Sequence, residues 1–375
     1  MKKSVGIRKA ACVILALLLF IAGCAASNTG NAQTGDKTAY RLLLDAVDTQ
    51  LEEAGGAEFA VHYIDVGKAD AILIECEEHF MLIDAATKAQ SPVVLDYLRQ
   101  RGVQKLDYVV ATHPHEDHIG GMQDIFREFK IGLFIMPDCT HNTATYENML
   151  DTLLQKEIEI EIAAPGAEFS LASADFMLLA PNGAEYADLN DYSVVLRMEY
   201  GETSFLFCGD AQKKSEAEML RNGLLLQADV LKAGHHGSST SSTFSFVQAV
   251  DPNAVVLTCD RDASTGGPHD GPLKTFQLLG AQVFRSDDEG CIVMISDGQQ
   301  ITAITESTNT PKRIESVPEP IAAQVIGNKN TKVYHVQDCS ALPKEKNRIY
   351  FDSLESAEMQ GYRACGNCLS GGRPL

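Results

Sequence analysis

The chain alternates short apolar runs with longer stretches in which apolar positions recur every three or four residues. AILIEC (71–76), FMLIDA (80–85), YVVAT (108–112), SFLFCGD (204–210), DVLKAG (229–234) and AVVLTC (254–259) are rich in β-branched, aliphatic or aromatic residues. Runs of this kind predict strands covered on both faces. VVLDYLRQRG (93–102) and KKSEAEMLRNG (213–223) have helical spacing and end in Gly, a common helix stop. Leu42, Leu43, Ala46, Val47 and Leu51 predict one more amphipathic helix over Tyr40–Glu53, packed on the main body. From residue 58 to 305 the order of strands and helices is that of an α/β domain.

The ends of the chain read differently. Residues 1–23 combine Lys2, Lys3, Arg8 and Lys9 with an apolar stretch from Ala10 to Ala22, too short to span a bilayer comfortably and patterned as an export signal. Ile21-Ala22-Gly23-Cys24 resembles a bacterial lipobox, which implies a lipid on Cys24, a membrane anchor and an exported, extracytoplasmic body. Residues 24–57 then hold the lipidated cysteine, a small polar spacer and the short helix. Residues 306–325 are rich in Pro, Thr, Ser and charge and read as a linker, leaving 326–370 as a separate small unit.

Composition narrows the function. The 375 residues carry 31 Lys and Arg against 51 Asp and Glu, a formal charge of −20. Removing residues 1–23 deletes four cations and no anion, taking the charge to −24. Such a balance argues against a broad basic surface for nucleic acid. The chain also lacks a G-x-x-x-x-G-K-[ST] phosphate loop and a G-x-S-x-G nucleophile elbow.

The strongest chemical signal is Thr112-His113-Pro114-His115-Glu116-Asp117-His118-Ile119-Gly120-Gly121, directly after a strand. Three of the ten histidines fall within six residues, beside two carboxylates. Imidazole and carboxylate donors on one loop suit zinc, or manganese and iron where oxygen dominates.

H-x-H-x-D-H resembles the signature of metallo-β-lactamase-fold hydrolases. The companions expected of that family follow in order: Asp84 at a strand end, Cys208-Gly209-Asp210-Ala211, and Lys232-Ala233-Gly234-His235-His236-Gly237-Ser238. Ile64-Asp65-Val66-Gly67-Lys68-Ala69-Asp70-Ala71 and the His-His-Gly-Ser run are similar to the hydrolase domain of the ComEC competence proteins. The resemblance covers about residues 58–305 and implies a four-layer αββα sandwich. It also implies His113 and His115 on a first metal, Asp117, His118 and one of His235 and His236 on a second, and Asp210 bridging. His235 is favoured over His236, and Asp84 supports the ligand loop. Asn190 or Asp191 stands where many members carry a third histidine, so one to two zinc or manganese ions are expected.

The resemblance implies a metal-activated water acting without a side-chain nucleophile. Asp117 or Asp70 would handle protons, and Lys68, Asn190, Ser238 and His269 would meet the substrate. His62, His79 and His141 read as structural or surface residues. The expected substrate is DNA or another phosphodiester, with Lys213, Lys214, Lys232, Arg261 and Lys274 as local positive ground. A small phosphocholine-type ester, a lactam or a lactone is the alternative, and a non-catalytic metal-containing binding protein a third reading. No protein partner is identifiable.

His335-x3-Cys339, followed by Cys365-x2-Cys368, offers four ligands of tetrahedral zinc type to a unit too small to hold together well unaided. A disulfide among the three cysteines is the competing arrangement. The segment resembles the metal-binding module of the Ada repair protein, here with His335 in place of one cysteine. Cys76, Cys139, Cys208, Cys259 and Cys291 lie mostly in apolar strands and read as buried thiols.

Overall fold

The structure, a computed structural model, describes residues 39–53, 59–260, 267–316, 325–335, 339, 341–351 and 354–366. The expected leader, Cys24, Arg261 and Cys368 lie outside the described residues.

Two sheets face each other. The first runs Lys312–Arg313, Ile301–Thr305, Ile292–Ser296, Phe59–Tyr63, Ile72–Cys76, His79–Ile83, Lys105–Val110, Lys130–Met136, Glu159–Ile162. The second runs Gln282–Arg285, Ala254–Leu257, Val230–Lys232, Thr203–Phe207, Val195–Tyr200, Ala174–Ala180, Glu168–Leu171. Side chains alternate across each strand. Phe205 and Phe207 join Phe59 and Tyr63 between the sheets, while Leu206 turns outward to a helical layer. Burying each such large apolar side chain contributes about 1.5–3 kcal/mol.

Helices close both outer faces. Leu43, Val94, Ile125 and Met149, from Ala39–Glu53, Ser91–Gln100, Met122–Glu128 and Ala144–Gln155, pack on the first sheet. Met219, Phe246 and Phe276, from Lys213–Asn222, Phe244–Val250 and Asp270–Leu278, pack on the second. The result is the four-layer αββα sandwich expected from the motifs. Helix Lys213–Asn222 stops at Gly223, whose φ of 70° is the left-handed conformation glycine adopts without strain.

Two expectations change. The first helix is phased differently, because Leu44 is buried and Leu42 is 62% exposed. The sheet domain also runs past residue 305: Lys312 and Arg313 pair with Ala303 and Thr302, and Ile314 is buried against the inter-sheet core. The start of the expected linker therefore belongs to the sandwich.

The C-terminal unit is a small sheet in the order Arg348–Phe351, Val325–Asn328, Val333–His335, Arg363–Ala364. Its core of Val325, Tyr334, Phe351, Ala357 and Tyr362 meets Phe244 and Leu278 of the sandwich. His335, Cys339 and Cys365 are buried together, with His335 Nδ1 3.3 Å from Cys339 Sγ and the two sulfurs 3.9 Å apart with no disulfide between them. Cys76, Cys208, Cys259 and Cys291 are buried free thiols as expected, and Cys139 is half-buried.

Candidate metal centre

Strand ends from both sheets deliver the site. Lys105–Val110 leads into Thr112–His118, His79–Ile83 into Asp84, Thr203–Phe207 into Asp210, and Val230–Lys232 into His235 and His236. Gly120 and Gly121 let the short helix Glu116–Ile119 lie against the 85–88 loop, where an added Cβ would come within 2.3 Å of the Lys88 amide or the Ala85 carbonyl.

Asp117, His118, Asp210 and His236 bring four potential ligand atoms within 4.8 Å of one another. His118 Nε2 lies 3.4 Å from Asp210 Oδ2, and His236 Nε2 lies 3.5 Å from Asp210 Oδ1 and 3.7 Å from Asp117 Oδ2. His113 Nε2 is 3.9 Å from Asp210 Oδ2, the oxygen that His118 also approaches, and 2.9 Å from His115 Nδ1. Nitrogen donors from His113, His118 and His236 thus converge on the one Asp210 carboxylate.

The favoured choice of His235 does not match this geometry. Residues 235 and 236 both take left-handed backbone, with φ of 49° and 53°, which swings His236 inward. His236 is 2% exposed and anchored by Nδ1 to the Thr258 carbonyl at 2.9 Å. His235 is 22% exposed on its side chain, bonds Thr240 Oγ1 at 3.0 Å, and lies 3.6 Å from Asp210 at the rim.

Supporting residues fix the donors. Asp84 Oδ2 lies 2.7 Å from His118 Nδ1, and its other oxygen accepts the Thr112 amide at 2.8 Å. Ser193 Oγ sits 3.4 Å from His113 Nδ1 and accepts the Asp210 amide at 3.1 Å. Such bonds hold ring orientation and tautomer, so that the opposite nitrogen faces the site. Asp191 is spent on the Gln212 and Ser215 amides. Asn190 keeps its Oδ1 buried without a partner.

Electrostatics follow from burial and proximity. Burial opposes ionisation of Asp210, yet His236, His118 and His113 hold its carboxyl well below the usual range. Burial also disfavours an imidazolium at His118, but Asp210 and Asp84 raise it well above the ordinary value. His113 is driven well below that value by burial, with His118 and His115 adding to the effect.

The donor set fits a divalent cation. His118 Nε2, His236 Nε2, Asp210 Oδ1 and Asn190 Oδ1 are all buried without a hydrogen-bond partner. Leaving a buried polar group unsatisfied costs about 1–3 kcal/mol. Mixed nitrogen and oxygen donors at this spacing suit zinc or manganese.

Several expected residues have other places. Asp70 is buried behind the histidines, its oxygens taken by Lys232 and Thr258, so it is enclosed and not placed to exchange protons with a reacting group. Lys232 is fully buried and offers nothing to a polyanion. His269 is exposed and accepts the Ser239 amide at 3.2 Å, outside the ligand cluster. His62 is buried against Tyr97, and His79 is at the surface beside Asp107. His141 instead adjoins His115, ring centroids 6.2 Å apart. Thr258 and Ser193 were not expected at the site, and only the position of Ser193 three residues after Asn190 offered a signal.

The family model described as Metallo-beta-lactamase superfamily matches residues 64–259, and that described as Metal binding domain of Ada matches 320–370. "ComE operon protein 3" of Bacillus subtilis is 27% identical over 254 residues, covering 63% of this chain and 33% of that protein. "Competence protein ComA" of Neisseria gonorrhoeae is 27% identical over 256 residues, covering 68% and 35%. The chain thus spans about a third of the length of these relatives. A solved metallo hydrolase of Ignicoccus hospitalis is 20% identical with a TM-score of 0.44, covering 62% of this chain and 98% of that one. Since the first of these matches takes in more than half of the 375 residues, the chain belongs to the metallo-beta-lactamase superfamily, as a metal-dependent hydrolase related to the ComEC competence proteins with an Ada-like metal-binding domain behind it.

Proposed function

We propose that this hydrolase cleaves phosphodiester bonds, with DNA as substrate, while anchored outside the cytoplasm by a lipid on Cys24. The observation that supports the reading is the convergence on Asp210 of His113, which adjoins His115, and of His118 and His236, which adjoin Asp117. Two cations sharing one carboxylate suit phosphoryl chemistry, in which attacking and leaving oxygens both need charge stabilisation. The competence proteins among its relatives favour DNA over other phosphodiesters.

When bound, the cations supply Lewis acidity and lower the pKa of a water ligand. The chain's own residues do the rest. His113 and His115 with Asp210 would hold one cation, and Asp117, His118 and His236 with Asp210 the other; Asn190, whose buried Oδ1 has no partner, would add an oxygen donor. Asp117 is the cluster's carboxylate that reaches solvent, 33% exposed. Burial disfavours its anion, but His236, 3.7 Å away, and the charge of His118 favour it and hold the carboxyl below its ordinary range, so it can accept a hydrogen bond from a water. Lys68, Ser238 and His269 are proposed to line the approach to the cluster. Zinc in the C-terminal domain is proposed to be structural, held by His335, Cys339, Cys365 and Cys368.

A small-molecule phosphodiesterase is the second reading, favoured by the charge of −20 and by the burial of Lys232. The test expresses residues 25–375, counts bound metals, and assays single- and double-stranded DNA beside a generic phosphodiester and a β-lactam with added Mn or Zn. Asp210→Ala and His115→Ala serve as controls. Intact DNA with turnover of the small ester removes the DNA reading, and absence of both metal and turnover removes the mechanism.

A further inference from the structure

Lys232 and Asp70 form a buried ion pair that the chemistry above does not use. Lys232, at the end of a second-sheet strand, is fully buried, and its Nζ donates to Asp70 Oδ2 at 2.9 Å and to the Ala233 carbonyl at 3.0 Å. Asp70, from the turn between the first two strands of the other sheet, is 1% exposed and accepts Thr258 Oγ1 on its second oxygen. The Asp70 amide donates to the Asp117 carbonyl at 3.2 Å, and its own carbonyl accepts the Ala86 amide at 2.8 Å. The carboxylate lies 3.6 Å from His236 Nδ1 and 4.0 Å from His118 Nδ1. One residue therefore touches both histidine-bearing loops, which come from opposite sheets.

Stability alone is a poor reason for such a pair, because an apolar pair of similar volume is often as stable as a buried salt bridge. We propose that Lys232 and Asp70 are a positioning pair. Lys232 holds the Asp70 carboxylate in place, and Asp70 ties the Asp117–His118 segment to the His236–Thr258 corner, so that both Nε2 atoms meet in one volume. The inference rests on the metal-centre reading. It also separates two effects of opposite sign: Lys232 offsets one of the four carboxylates Asp70, Asp84, Asp117 and Asp210. Were charge its whole role, removing it would tighten cation binding.

The experiment titrates Mn(II), which the thiol-rich C-terminal cluster disfavours, into the purified metal-free chain against a chromophoric chelator. Wild type, Lys232→Met and the double variant Asp70→Asn/Lys232→Met are compared, with thermal unfolding of the metal-free proteins alongside. The single variant loses unfolding temperature and binds Mn(II) about 10-fold or more weakly, in the range measured for partners of metal ligands. The double variant, with no charge left unpaired, regains the unfolding temperature and stays about 10-fold weak. If the single variant does not fold, the double variant decides. A double variant that binds like wild type, or a single variant that binds more tightly, overturns the positioning role. Wild type that takes up no Mn(II) overturns the metal-centre reading instead.

Discussion

Asp84 and His118, 34 positions apart in sequence, meet through a 2.7 Å contact between Oδ2 and Nδ1, both side chains fully buried. The carboxylate fixes the ring so that Nε2 faces Asp210. An Asp84→Asn change keeps an oxygen for the Thr112 amide but loses the paired acceptors that Thr112 and His118 share. Divalent-cation affinity is expected to fall about 10–100-fold, measured by competition with a chromophoric chelator. Unchanged affinity would show that another group orients the ring.

Gly121 is needed for space. A Cβ there would stand 2.3 Å from the Ala85 carbonyl oxygen, a backbone atom that cannot swing aside. Gly121→Ala is expected to cost about 1–3 kcal/mol or more through overpacking. The check is chemical denaturation of the metal-free protein, and a midpoint within error of wild type contradicts the close approach.

Glu75 sets an acid limb. Burial on its own would raise the carboxyl, but the contact with His62 and the Arg101 guanidinium override it and bring it from 4.5 down to about 2. A depressed folded value contributes stability that is present above pH 4.5 and lost as pH falls through about 2. The contribution is up to about 3 kcal/mol. In Glu75→Gln that part of the pH dependence disappears, and stability at pH 7 drops. Unfolding midpoints taken between pH 2 and 7 test it, with an unaltered acid limb as the contrary result.

Cys339 belongs to the cluster of the C-terminal domain, 3.9 Å from Cys365 and 3.3 Å from His335. Cys339→Ser is expected to remove one zinc per chain and leave the sandwich metals in place. Metal analysis of the purified protein is the readout, and unaltered zinc content excludes Cys339 as a ligand.

How far the sequence carried the reading depended on how local each feature is. His113, His115, Asp117 and His118 were legible because they crowd one loop, and Asp84 and Asp210 because each closes an apolar strand. The choice between His235 and His236 was not, since two left-handed residues turn the chain there and no composition rule sets their direction. Nor was the role of Asp70, whose partners Lys232 and Thr258 lie 162 and 188 positions away. Lys232 looked like a surface cation because a lone lysine carries no mark of burial. Leu42 and Leu44 make the same point on a smaller scale: either fits the helical period, and contact with the sheet selects Leu44.

The donors arise from strands of both sheets and from segments as distant as Asp84 and His236. No contiguous fragment shorter than 84–236 contains them all, because His113–His118 has no Asp210 beside it until Thr203–Phe207 has docked. A cation held here therefore acts as a clasp across the interface, and unfolding must release it before the halves can part. Retained metal then becomes a tally of molecules whose two halves have closed correctly.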